Sequence, residues 1–211
     1  MKIIHVVESF AGGVYDFIRY LATGMADIEH TIIYAEKSHA PDNFSRQFPD
    51  NVTFVPWKHA SREIPLMKDL LALIELVKIL GSIQTVDIIH LHSSKAGFSG
   101  RCAARWMKLQ SKVVYTSHGA SFIRKDVSRL KRSIFIVLEK TGFFLGGQII
   151  ACSESEMQEF HRLGLPAKYI NNGMPCNTYR TRTVRKETNK LCIGTIGRIS
   201  TPKNHLLFLI K

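Results

Sequence analysis

Three groups of side chains are placed where they could hold or move charge: a glycine pair, a set of strand-end histidines, and two cations near the C-terminus. In Leu191-Cys192-Ile193-Gly194-Thr195-Ile196-Gly197-Arg198-Ile199-Ser200-Thr201-Pro202-Lys203-Asn204 an apolar strand runs into Gly-Arg, a short turn, Pro-Lys and the apolar start of a helix. A glycine in such a turn lets the backbone approach a phosphate closely, and Arg198 and Lys203 set two cations beside it. Gly12-Gly13 follows the first apolar run and opens a helix. Backbone N–H groups at that positive helix end suit a phosphate or a hydroxyl, although many such turns carry glycine for steric reasons alone. His118, in Ser117-His118-Gly119, ends a strand rich in Val and Tyr. It can hydrogen-bond a ligand hydroxyl or, when protonated, stabilise a departing diphosphate; its plainer role is to satisfy a backbone carbonyl. His90 and His92 alternate along one strand and so share a face. His92 lies nearer the rim and can reach a ligand there, whereas His90 reads as a core histidine. Neither a third ligand nor a carboxylate accompanies them, so no metal site is expected.

These residues need a scaffold, and the pattern predicts one. Short β-rich runs (2–7, 30–34, 52–56, 86–91, 112–117, 148–152, 168–171) alternate with helical stretches (14–25, 66–80, 97–108, 128–145, 153–163). Alternation of this kind predicts an α/β fold: a Rossmann-like, doubly wound, mostly parallel sheet covered on both faces. Within 66–80, the residues Leu66, Leu70, Leu73, Ile74, Val77 and Leu80 keep the spacing of one buried helix face. Ser153 and Glu156 form a capping-box pair after a strand. In such a sheet the ligand loops gather at the carboxyl ends of the strands. The segments 8–13, 92–97, 117–121, 152–154 and 171–175 fall there, which brings His92, Ser93, Ser153, Glu154 and Asn172 to one rim with Gly12, Gly13 and His118. G-x-G-x-x-G and G-x-x-x-x-G-K-[ST] are both absent, which argues against dinucleotide and P-loop chemistry. Residues 1–174 are expected to form the Rossmann-like domain, 175–189 a linker rich in Thr, Arg and Lys, and 190–211 the start of a second domain.

Composition narrows the partners. A hydrophobic content of 45% argues for a packed core and against wholesale disorder. The formal net charge is +12 over 211 residues, and it is uneven: residues 95–140 hold eleven Lys/Arg and two Asp/Glu. A field of that sign attracts phosphates of any kind. No nucleic-acid reader motif appears and aromatics do not interleave with the basic residues, so nucleic acid is not expected. An anionic membrane surface fits better, because Arg129, Lys131 and Arg132 lead directly into Ile134-Phe135-Ile136-Val137-Leu138, the order of an interfacial helix. The longest apolar segment falls short of the about 18–20 residues a membrane span needs, and the N-terminus lacks the apolar length of a signal peptide. The four cysteines, Cys102, Cys152, Cys176 and Cys192, form no C-x-x-C pair and read as reduced thiols. A cytoplasmic location, peripheral on the inner face of the cell membrane, is the expectation.

The glycine pair, DIIHLHSSKAG, SHG, ACSESE, NNGM and IGTIGRISTPKN, in this order and spacing, resemble the retaining glycosyltransferases of family 4, which have the GT-B architecture. The resemblance covers nearly the whole chain. It implies two Rossmann-like domains, the first binding mainly the acceptor and the second mainly a nucleotide-sugar donor. It also implies retention of anomeric configuration with no metal ion and no cofactor beyond the nucleotide-sugar co-substrate. The acceptor is expected to be a lipid-linked saccharide or polysaccharide, as in surface polysaccharide assembly. Residue by residue, Gly12 and Gly13 would contact the donor diphosphate or the acceptor, and His118, as the catalytic residue, the transferred sugar. Arg198 and Lys203 would hold the diphosphate, and His92, Ser93, Ser153, Glu154 and Asn172 would line the acceptor or sugar site. The family's E-x7-E motif has no counterpart in these residues, so this chain alone is expected to show little or no transfer. Two further readings are a non-catalytic, membrane-docking acceptor module that pairs with a separate donor domain, and a nucleotide-sugar epimerase of the same architecture.

Overall fold

A computed structural model describes residues 1–36, 40–61 and 66–173, with the side chain of Leu66 excepted. The expected linker (175–189), the expected second-domain segment (190–211) with Arg198 and Lys203, and Cys176 and Cys192 lie outside the described residues.

Seven strands, β1 (Lys2–Val7), β2 (Glu29–Ala35), β3 (Val52–Trp57), β4 (Ile88–His92), β5 (Val113–Thr116), β6 (Gln148–Ala151) and β7 (Ala167–Tyr169), alternate with five helices. The helices are α1 (Gly12–Gly24), α2 (Leu66–Ser82), α3 (Ser94–Trp106), α4 (Arg129–Leu145) and α5 (Glu154–Arg162). The sheet order is β3-β2-β1-β4-β5-β6-β7, and every pairing is parallel. The chain therefore winds outward in one direction from β1 and in the other from β4. That reversal leaves a crevice at the carboxyl ends of β1 and β4, where open α/β sheets bind ligands.

Because strand side chains alternate, each strand divides its residues between two cores. Ile4, Val6, Ile33, Ile89, Leu91, Val113 and Tyr115 enter a large core with Leu76, Leu80, Ala96, Ala103, Ala104 and Phe160 from α2, α3 and α5. Val7 and Ile32 face the other way, into a smaller core with Tyr15, Ile18 and Ala22 of α1 and with Phe10 and Phe48. The expectation of cover on both faces thus holds unevenly: among the described residues α1 covers one face, and the core of the opposite face is built with α2, α3 and α5. Phe10, fully buried, makes edge or tilted contacts with Tyr15, Tyr34, Phe44, Phe48 and Phe54. Burial of such a ring contributes about 1.5–3 kcal/mol, and it fixes the segment between β1 and Gly12.

Two element readings are corrected. Helix α3 starts at Ser94 rather than at residue 97, so 92–97 is not a loop. Ser93 alone connects strand to helix, and its φ of 67° makes that turn possible. Gly97 lies inside the helix because a Cβ there would collide with the Tyr115 ring; it is a packing glycine, not a turn glycine. In α2, the buried line is Ala72, Leu76 and Leu80, while Leu70 and Ile74, expected to be buried, are 54% and 44% exposed. The helix is apolar nearly all round, so its periodicity left the buried face undetermined.

Helix α4 is held to α3 by a buried polar group. Tyr115 donates its hydroxyl hydrogen to Glu139 Oε1 (2.7 Å), the Arg101 guanidinium lies 3.6 Å from Glu139 Oε2 and stacks 3.9 Å from the centre of the Tyr115 ring. Gly142 leaves room for that guanidinium.

Candidate functional site

The crevice between β1 and β4 is tied across its floor by a carboxylate. Glu8, one residue beyond β1, is buried, accepts from Ser93 Oγ (2.5 Å) and from the Ala96 N–H in the first turn of α3 (3.2 Å). Burial pushes its pKa up, and the hydrogen bonds from Ser93 and Ala96 offset part of that. Above it α1 opens at Gly12, whose φ is 57°, a conformation other residues rarely hold. Both Gly12 and Gly13 are exposed, and a Cβ on either would meet nothing within 4 Å. Packing within this domain therefore does not explain the absence of a side chain at Gly13. The space it leaves faces solvent at a helix N-terminus.

On the other side of β4, the Ser117-His118-Gly119 turn is clamped by Glu156. Its Oε1 accepts from Ser117 Oγ (2.6 Å), Gly119 N (2.9 Å) and Ala120 N (2.9 Å), and its Oε2 from Cys152 N (2.8 Å). The capping box is thus half formed: Ser153 Oγ caps Glu156 N (3.2 Å), but the Glu156 carboxylate turns across to the neighbouring turn. The clamp holds His118 and Gly119 at φ of 52° and 97°. With Ser93, this gives two non-glycine residues of positive φ on one rim, a strain that persists only where surrounding contacts impose it.

Behind the rim stands a row of imidazoles on the α1 face of the sheet. His5 Nδ1 lies 3.0 Å from His92 Nε2, His5 Nε2 3.0 Å from His30 Nδ1, and His92 Nδ1 3.0 Å from His118 Nε2. His118 Nδ1 lies 3.4 Å from Cys152 Sγ, and Phe17 of α1 packs edge-on against the His118 ring at 4.8 Å. His90 stands beside the row, 2.9 Å from Thr116 Oγ1. Burial, with mutual repulsion among the rings, holds His5 and His92 far below the usual imidazole range. Burial lowers His90 to about 3 and His118 to about 4. The Cys152 thiol is pushed up to about 11 by burial and by Glu156, so it is neither thiolate nor nucleophile near neutral pH.

Several site expectations change accordingly. His92 cannot touch a sugar: it is fully buried and both ring nitrogens are engaged. His118 is on the rim, and burial within this domain keeps its imidazole neutral near pH 7. Ser93 lies at the crevice with its hydroxyl turned down to Glu8. Ser153 caps α5, Glu154 is exposed on the first turn of that helix, and Asn172 is exposed just beyond β7. Gly12, Gly13, Ser93, His118, Ser153 and Asn172 thus all fall along the carboxyl ends of the strands. Sequence reading missed Glu8, Glu156, His5 and His30. The lone charge closing β1, the capping-box spacing, and single histidines inside apolar strands were the available signals.

His5, His90 and His92 bring ligand atoms within 4.8 Å of one another, and they are the residues that could hold a metal. Neutral imidazoles suit zinc, but both ring nitrogens of His5 and of His92 already lie 3.0 Å from another imidazole nitrogen.

The sequence profile of Glycosyltransferase Family 4 matches residues 11–177. A UDP-Gal:alpha-D-GlcNAc-diphosphoundecaprenol alpha-1,3-galactosyltransferase of Escherichia coli is 48% identical over 163 residues, 70% of this chain and 41% of that protein. A GDP-mannose:cellobiosyl-diphosphopolyprenol alpha-mannosyltransferase of Xanthomonas campestris is 23% identical over 88% of this chain and 49% of its own length. The chain therefore spans less than half of these relatives. Sucrose-phosphate synthase from Thermosynechococcus elongatus shares the fold, with a TM-score of 0.56 at 16% identity over 81% of this chain and 47% of that one.

Proposed function

This chain belongs to Glycosyltransferase Family 4, and from that premise we propose that it supplies the acceptor-side domain for transfer of a hexose from a nucleotide-sugar to a saccharide carried on a diphospholipid, with retention. The observation that carries this reading is the open rim. Helices α1, α3 and α5 all begin along it, Gly12, Gly13 and Gly119 leave it unobstructed, and two strained residues, Ser93 and His118, face it. N–H groups at helix ends recognise phosphate and hydroxyl oxygens without a net charge of their own. The names of the E. coli and X. campestris relatives both specify a diphosphate-linked polyprenol acceptor, which supports that acceptor class here. In this proposal Arg198 and Lys203 meet the donor diphosphate, and no metal or other cofactor takes part.

Helix α4 supports the location. Leu130, Ile134, Val137, Leu138 and Phe144 are between 40% and 83% exposed on it, and Arg129, Lys131 and Lys140 are exposed among them. No helix of the described residues is long and apolar enough to cross a membrane. An exposed apolar stripe set among cations is the surface of a helix that lies in an anionic membrane interface, here the cytoplasmic leaflet where the acceptor lipid would be presented.

The test is binding of the purified 211-residue chain to phosphatidylglycerol vesicles, with and without a synthetic GlcNAc-diphospholipid. We expect the chain to sediment with the anionic vesicles, and the saccharide lipid to tighten that binding. Reversing Arg129, Lys131 and Lys140 to Glu should weaken it about 100-fold or more, at about 1 kcal/mol for each cation lost. Equal binding to neutral vesicles, or indifference to the saccharide lipid, would contradict the proposal.

A further inference from the structure

The imidazole row has a direction. His30 Nε2 faces the Met25 carbonyl oxygen at 3.3 Å, and a carbonyl only accepts, so His30 carries its hydrogen on Nε2. The Nδ1 of a neutral His30 is then an acceptor, and the nitrogen facing it at 3.0 Å, His5 Nε2, carries a hydrogen. The same step repeats twice. His5 Nδ1 accepts from His92 Nε2, and His92 Nδ1 accepts from His118 Nε2. What remains at the rim is the Nδ1 lone pair of His118, which faces the Cys152 thiol, a weak donor, at 3.4 Å. The rings that make these contacts lie nearly parallel, with 17°, 25° and 23° between planes and centroids 5.2–5.3 Å apart, the end-to-end arrangement in which each N–H points along the next ring's lone pair.

We propose that the Met25 carbonyl, acting through His30, His5 and His92, fixes His118 as its Nε2–H tautomer and so presents Nδ1 at the rim as an acceptor for a saccharide hydroxyl. His30, His5 and His92 are positioning residues, and His118 is the group that touches ligand. The assignment of the ligand rests on the reading of the rim as a saccharide site; the tautomer does not. The lowered pKa values of His5, His30, His92 and His118 agree with a row that is neutral throughout. A ligand hydroxyl displaces only the thiol contact, whereas a phosphate oxygen, having no hydrogen to donate, gains nothing at that nitrogen. The device therefore selects hydroxyl over phosphate at this one point of the rim.

The test uses nitrogen-15 imidazole spectra of the 211-residue chain at pH 7.5, which report which ring nitrogen bears hydrogen. In the unaltered chain His118 should show a protonated Nε2 and a bare Nδ1; a hydrogen on Nδ1 overturns the proposal without any variant. His30→Leu removes the terminal donor, and the Nδ1–H form of His118 should rise roughly fivefold, the worth of one hydrogen bond. His30→Gln, which can donate to Met25 and accept from His5, should restore the original ratio. A His118 tautomer unchanged in folded His30→Leu also overturns the proposal. Adding the GlcNAc-diphospholipid should shift the His118 Nδ1 resonance. If it leaves that resonance unmoved while the tautomer is as stated, the row stands and the saccharide assignment at His118 fails.

Discussion

Lowering the pH should destabilise this domain, because its buried histidines are stable only uncharged. In the folded chain His90 and His118 have pKa values of about 3 and about 4, and His5 and His92 lie well below the ordinary 6.5. The unfolded chain binds protons at these four positions as pH falls below 6.5 and the folded chain does not, so stability is full above 6.5 and lost toward 4. Between pH 7 and pH 5 His90 and His118 each remove about 2 kcal/mol, together about 4 kcal/mol, and His5 and His92 act in the same direction. Glu8 and Glu139, whose pKa values are raised by burial, act in the opposite sense and return part of this loss above their ordinary 4.5. A domain of this size has about 5–15 kcal/mol in all, so a large fall in the urea midpoint by pH 5 is expected. Urea melts followed by circular dichroism from pH 8 to pH 5 measure it. A flat profile across that range would show that the buried imidazoles are not neutral dependants of the fold, and the reasoning on the row would fail with it.

Other consequences follow from single contacts. Gly97→Ala should cost about 1–3 kcal/mol, since the added methyl meets the Tyr115 ring, whereas Gly13→Ala, with open space around it, should leave the urea midpoint unchanged while weakening saccharide-lipid binding. Glu156→Ala leaves three donors of the His118 turn and the Cys152 N–H without their carboxylate; a loss of about 3 kcal/mol or more and faster amide exchange at Gly119 and Ala120 are expected. Dialysis against a chelator should alter neither stability nor saccharide binding. A drop in either, with stoichiometric zinc released, would assign His5, His90 and His92 to a metal.

The sheet was readable because its strands are near-continuous apolar runs, as strands buried on both faces are. The loops at its carboxyl edge followed from that, and so did the rim positions of Gly12, Gly13 and His118. What could not be read depends on register and on packing across the sheet. His5 lies directly beside His90, and Ile3 beside His30, pairings between segments far apart in sequence, so a row of imidazoles appears as four unrelated histidines. Glu156 carried a local signal for helix capping, and the nearby turn between β5 and α4 drew its carboxylate away. Gly97 looked like a turn because its real partner, the Tyr115 ring, sits on β5.

The central claim is that saccharide binds along the carboxyl ends of the strands. Titrating the GlcNAc-diphospholipid in detergent into nitrogen-15-labelled chain and following backbone amides measures this directly. The account predicts that Gly12, Gly13, Ser93, Gly119 and Ser153 shift together and saturate at one lipid concentration. Shifts confined to the opposite edge, around Asp87, Gln110 and Gln148, or no saturable shift while the fold is intact, would contradict it.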